Sequence, residues 1–199
     1  EDRRDGTESF SAGLNFTDAK FSLPSFEWAK QPGREATGEV SILLKDGKVT
    51  SIPLFRIEAG VFRAGGRVSL SNGAPGADPV LESIDLDRFI LGLTAFAAKV
   101  RRAPDRSFLI DVDGEGFDAA PFISKDLGGI DAPELPALTL KGKFEKFWIG
   151  SGAPTNNVQM DLRRDATSWR QIVVEAQLPA GGKAIGIKML PNAAGHSLS

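Results

Sequence analysis

Cysteine and tyrosine are absent from the 199 residues, and the chain carries one histidine and two methionines. Without cysteine there are no disulfides, thiolate metal sites or cysteine nucleophiles. With one histidine, a Ser-His-Asp triad would have to pass through His196, which follows Pro191 near the end of the chain and reads as an exposed tail residue. No Gly-x-Ser-x-Gly elbow accompanies it, because Gly150-Ser151-Gly152 is too short and reads as a turn. A zinc site would need several ligands that the composition does not supply. A surplus of either charge is also missing: 24 Lys+Arg stand against 26 Asp+Glu, a net charge of −2. A protein devoted to nucleic acid needs a basic excess, so the balance argues against that class.

Long apolar runs are lacking too. The longest uncharged stretch, residues 89–98 between Arg88 and Lys99, is half of what a spanning helix requires, about 20 residues. The first residues, Glu1-Asp2-Arg3-Arg4-Asp5, contain no apolar signal region. The chain breaks off after Ser197-Leu198-Ser199, so it is read as a segment of something longer, with any export signal or anchor outside it. At 41% apolar and 25% charged residues the composition is globular, and the length suits one large domain or two small ones.

What the sequence has in quantity is period-two alternation, the signature of half-buried strands. Phe10, Ala12, Leu14 and Phe16 alternate with small polar residues, and Phe21, Leu23, Phe26 and Trp28 follow, interrupted by Pro24, which marks an edge or bulge. Val40, Ile42 and Leu44 lead into Asp46-Gly47, a two-residue hairpin signal. The return run carries Ile52 and Leu54 and then shifts phase near Pro53 to Phe55, Ile57 and Ala59. Val68 to Leu70 closes at Asn72-Gly73, a second hairpin signal. Residues 80–103 fit a helical stripe or two strands; Gly92 in mid-run favours two strands turning there. Phe108, Ile110 and Val112 alternate up to a turn at Asp113-Gly114, and Asp118 reads as the cap of a short helix ended by Gly128-Gly129. After Pro133 and Pro136 the alternation resumes in Leu138–Ile149, in Val158, Met160 and Leu162, in Trp169–Leu178, and in Ile185, Ile187 and Met189.

The expected fold is mainly β: an antiparallel meander of about a dozen strands forming a long curved sheet or groove, with a sandwich or barrel as alternatives and one short helix near residues 119–126. The chain reads as a single β-rich segment over 1–199, with the Pro-rich link 128–137 as a candidate sub-boundary. Each strand has one apolar face to keep from water. An opposing sheet covers it in a sandwich; in an open sheet an acyl chain is a suitable substitute.

Several constellations invite chemistry and have simpler explanations. Asp111, Asp113, Glu115 and Gly116 match the start of a calcium loop, but position 12 is Phe122 instead of a bidentate Glu, so a turn between strand and helix is preferred. Asp85 with Asp87, and Asp111 with Asp113, share strand faces without implying a cleft. Gly181-Gly182-Lys183 lacks the residues of a phosphate loop. Arg3-Arg4, Arg101-Arg102 and Arg163-Arg164 could touch anionic headgroups, or serve edge protection and solubility. Trp28, Trp148 and Trp169 suit a core, a glycan platform or a lipid surface alike.

Three stretches carry a family resemblance. Leu162-Arg163-Arg164-Asp165 through Ser168-Trp169-Arg170, an apolar strand, then Leu178-Pro179-Ala180-Gly181-Gly182-Lys183 and Ile185-Gly186-Ile187 form the first. The others are Leu44-Lys45-Asp46-Gly47-Lys48-Val49 with its Ile-Pro strand, and residues 112–122. Together they resemble the AsmA-like superfamily of Gram-negative envelope proteins, particularly its large YhdP/TamB-type members. The resemblance implies a periplasmic segment of a protein anchored in the inner membrane, with a β-sheet trough that moves phospholipid toward the outer membrane. The implied partners are phospholipid acyl chains, with envelope proteins as further candidates; neither an enzyme nor a cofactor nor a metal is expected. The groove candidates are Val40, Ile42, Leu44, Val158, Met160, Leu162, Ile185 and Ile187. The competing expectations are a structural or protein-interaction β-domain with a dry core, and a glycan-binding β-sandwich.

Overall fold

The computed structural model describes residues 6–71, 78–123, 136–150, 152–177, 184–192 and 195–198. Its strands are β1 (Thr7–Asn15), β2 (Phe21–Leu23), β3 (Trp28–Lys30), β4 (Thr37–Lys45), β5 (Lys48–Ala59), β6 (Phe62–Ser71), β7 (Val80–Leu91), β8 (Thr94–Arg102), β9 (Phe108–Asp118), β10 (Leu138–Trp148), β11 (Thr155–Arg164), β12 (Trp169–Gln177), β13 (Ala184–Asn192) and β14 (Gly195–Leu198). One helical turn, α1 (Ala120–Ile123), follows β9. The fold is mainly β, as the alternation predicts.

Twelve strands form the main sheet in the order β1-β4-β5-β6-β7-β8-β9-β10-β11-β12-β13-β14, and β2 pairs with β3 in a separate two-stranded sheet. The end strands β1 and β14 have one neighbour each, so the main sheet is open and not a barrel. No second large sheet packs on it among the described residues, so the sandwich alternative does not hold.

Turn chemistry explains most of this order. Asp46 and Gly47 both adopt positive φ (51° and 72°), the two-residue turn whose twist matches antiparallel strands, and Lys45 pairs with Lys48 across it. Gly60 (φ 62°) opens the turn joining Ala59 to Phe62, a hairpin the sequence reading does not name. Gly92 (φ 59°) separates β7 from β8, so residues 80–103 are two strands. The phase change near Pro53 is a register shift between Ile52 and Phe55 opposite β6, which keeps both residues on one face despite their odd spacing. Asn72-Gly73 lies outside the described residues; β6 and β7 pair antiparallel up to Ser71 opposite Val80.

Four expectations are corrected. First, the sheet is not wholly antiparallel, because β9 and β10 run parallel, with Phe108 opposite Leu138 and Asp118 opposite Trp148. A parallel pair needs a crossover of a dozen or more residues, and residues 119–137 are long enough to supply it. Second, Asp113-Gly114 is no turn, since β9 runs unbroken to Asp118. Third, Pro24 starts a single 3₁₀ turn, Pro24–Phe26, between β2 and β3, where its fixed φ suits the first helical position. Fourth, His196 is not in a free tail but in β14, opposite Pro191. Asp118 does cap the helical turn, its carboxylate accepting the N–H of Ala120 at 3.0 Å. Gly128-Gly129 and most of the link 128–137 lie outside the described residues.

Two compact units divide the chain: residues 1–92 with 97–101, and residues 93–96 with 102–199.

Candidate functional site

In the first unit, residues directly opposed on neighbouring strands share a face, so the registers trace apolar rows across it. One row runs Ala12, Val40, Phe55, Gly66, Leu86, and the next Leu14, Gly38, Ile57, Ala64, Phe89. Phe10 lies opposite Ile42, and Leu44 lies opposite Val49. The candidates Val40, Ile42 and Leu44 are therefore on this face, and all three are half-buried. On the edge strand Phe10 is 56% and Leu14 38% exposed.

Part of this face is covered by the insertion between β1 and β4. Phe21 meets Phe16 and Phe62 edge-on and Trp28 at a tilt, at centroid distances of 6.4, 6.5 and 5.6 Å, Trp28 lies 5.1 Å from Phe62, and Phe26 lies 5.0 Å from Phe89. Gly38 admits the Phe16 ring; a Cβ there would sit 2.6 Å from it. The rings thus seal Phe62 and Phe89, both buried, at the end of the rows.

The opposite face of the first unit is charged. Arg56 pairs with Glu39 at 3.9 Å, Arg67 with Asp85 and Asp87 at 3.6 and 3.2 Å, and Arg101 with Asp85 at 2.7 Å. Asp85 and Asp87 are thereby arginine partners on a solvated strand face, and Arg101 is engaged within its own unit.

The second unit repeats the pattern. Val112, Gly142, Met160, Val174 and Ile187 form one register row; Ile110, Leu140, Leu162 and Ile172 form another. Met160 and Leu162 are half-buried, whereas Val158, opposite Phe144, is 2% exposed and sealed. Ile185 stands opposite Ala176 in the β12–β13 register; the side chains of Ile185 and Ile187 lie outside what is described. On the other face Asp111, Lys141 and Asp161 line up across three strands, as do Asp113, Lys143 and Gln159. The acidic residues that resembled a calcium loop are therefore rungs of a charge-alternating strand face.

Sequence reasoning missed why Gly114 and Gly116 are there. A Cβ on Gly114 would lie 2.7 Å from the Ala95 carbonyl and 2.8 Å from the Phe144 ring; one on Gly116 would meet Leu93 and Trp148 at 2.7 and 3.0 Å. These glycines make room for a second aromatic cluster, in which Phe117 lies 5.6 Å from Phe122, 5.3 Å from Phe144 and 5.4 Å from Phe147. The available signal was the density of phenylalanine around residues 117–148. The three tryptophans are all half-buried: Trp28 is in the first cluster, Trp148 packs over Gly116, and Trp169 carries the guanidinium of buried Arg164 at 5.9 Å. Arg163 is 3.8 Å from Asp161, so neither member of that basic pair stands alone; Arg3-Arg4 lies outside the described residues.

The β11–β12 turn is organised by one carboxylate. Asp165 accepts the N–H groups of Thr167 and Ser168, each at 2.8 Å, and the Thr167 hydroxyl at 2.8 Å, and it pairs with Arg170. The Thr167 N–H foremost, then those other donors, hold its carboxyl well below the usual range. Among the described residues no cluster of His, Asp and Glu is arranged to hold a metal ion.

No family model, curated protein or solved structure matches the chain. What stands is an open β-sheet whose units each carry one apolar face, one charged face and an aromatic cluster, with exposed hydrophobic residues on the apolar face of the first unit.

Proposed function

We propose that the apolar faces shield hydrocarbon, holding phospholipid acyl chains along rows of aliphatic side chains. The observation that carries this reading is in the first unit: Phe10 and Leu14 stand exposed beside half-buried Val40, Ile42 and Leu44, while the unit's own rings lie on Phe62, Phe89 and Gly38 instead. Each methylene transferred from water to such a surface contributes about 0.8 kcal/mol, so a long chain is retained without specific polar bonds. Weak point-recognition suits a conduit better than a tight receptor. The resemblance to AsmA-like envelope proteins supports placing the segment in the periplasm, within a parent protein anchored in the inner membrane, in phospholipid transport toward the outer membrane. Native mass spectrometry and solvent extraction of the purified chain test this: phospholipid should co-purify, and Val40→Glu should reduce it. A lipid-free protein that gains no lipid on incubation with vesicles would sink the reading.

A further inference from the structure

Lys30 is a buried cation without a counter-ion. Its side chain is 4% exposed, and its ammonium donates to the carbonyl oxygens of Thr17 and Ala19 at 2.5 and 2.8 Å. An ammonium carries three protons, and among the described residues no carboxylate forms an ion pair with this one. A buried charge left so is costly unless something compensates it. Lys30 also lines an open concavity of about 390 Å³ in the first unit, with Arg34, Glu35, Glu58 and Arg63 around it. That volume falls within the range of small-molecule sites.

The rim charges are unused by the fold. Glu58 and Arg63 are direct cross-strand neighbours, yet neither they nor Arg34 and Glu35 make a side-chain hydrogen bond or ion pair among the described residues. Elsewhere in this unit Arg56, Arg67 and Arg101 are paired, whereas exposed Arg88 makes no ion pair among the described residues. The site thus offers three cations and two carboxylates. A simple anion would satisfy the cations and be opposed by Glu35 and Glu58; a zwitterion satisfies both.

We infer that this concavity binds a zwitterionic phosphodiester of the glycerophosphoethanolamine type. The phosphate takes the third proton of Lys30 and the guanidinium groups of Arg34 and Arg63, whose fork geometry suits phosphate oxygens. The ammonium arm meets Glu35 and Glu58. The inference goes beyond acyl-chain shielding and does not require it, since it uses only charged groups at the insertion end of the unit.

Isothermal calorimetry on the full chain tests it with three probes: glycerophosphoethanolamine, inorganic phosphate, and phosphatidylethanolamine vesicles. Glycerophosphoethanolamine should bind saturably and more tightly than inorganic phosphate. Arg34→Gln and Arg63→Gln, both at exposed positions, should each weaken it fivefold or more, whereas Arg163→Gln in the other unit should not. Lys30→Met should abolish binding, and the two arginine variants keep the test decisive if Lys30→Met does not fold. Tighter uptake of vesicles than of the soluble headgroup identifies a lipid as the source, and equal affinity identifies the free phosphodiester; either supports the site. It is overturned if no probe binds, if the arginine variants bind like the parent, or if inorganic phosphate binds as tightly as the zwitterion. Retention of headgroup binding by Val40→Glu, with loss of extracted lipid, separates this site from the apolar face.

Discussion

At the scale of single residues, the least replaceable positions are small ones. Gly114 sits where any Cβ clashes with both the Ala95 carbonyl and the Phe144 ring, and the ring is itself buried in the second cluster. Gly114→Ala should therefore lower stability by about 1–3 kcal/mol, the usual range for overpacking, read as a drop in urea midpoint at unchanged m-value. Asp165 has the opposite character: a half-buried carboxylate that matters through its donors. Because its folded pKa is depressed below the unfolded value of about 3.9, its contribution is present above that pH and is lost as pH falls through the folded value. Asp165→Asn should lower the thermal midpoint at pH 7 and flatten its decline in acid. An NMR titration finding the Asp165 carboxyl at an ordinary pKa would refute this.

At the scale of elements, the insertion between β1 and β4 acts as a lid made from the chain itself. Its rings exclude water from Phe62 and Phe89, and Phe21 is the ring that touches Phe16, Trp28 and Phe62 together. Phe21→Ala should cost about 2 kcal/mol, less than the roughly 3–5 kcal/mol of a fully buried phenylalanine because the side chain is only half-buried, and should red-shift the emission of Trp28. The β4–β5 hairpin makes a second case. Gly47 occupies left-handed backbone space that costs a residue with a Cβ about 1–2 kcal/mol. Gly47→Val should destabilise by that amount, measured by chemical denaturation, without altering lipid content. The rows of apolar side chains were legible in the sequence, because alternation maps directly onto strand faces. The insertion's role was not, since nothing in a run of Phe, Pro and Trp says which distant rings it will meet.

At the scale of the whole molecule, the contrast between sealed and half-buried apolar positions is what the acyl-chain proposal rests on. Val158 is 2% exposed, while Val40 is half-buried, although both were equal candidates by alternation. Val158→Glu should abolish cooperative folding or cost more than about 3 kcal/mol, because the charge has no partner or water there. Val40→Glu should leave the circular-dichroism melt nearly unchanged while lipid content falls. Two variants of equal severity would mean a dry interior at both positions, and the acyl-chain reading would fail.

Strand content, the faces and most of the strand order follow from local patterning, because period-two alternation and positive-φ turn residues act within a few bonds. Tertiary structure alone decided the parallel pairing of β9 with β10, the continuation of β9 through Asp113-Gly114, the burial of Val158, and the arginine partners of Asp85 and Asp87. Each of these depends on groups distant in the chain. The same glycine is a turn former where its neighbours are solvent and a strand residue where an aromatic ring needs its missing side chain.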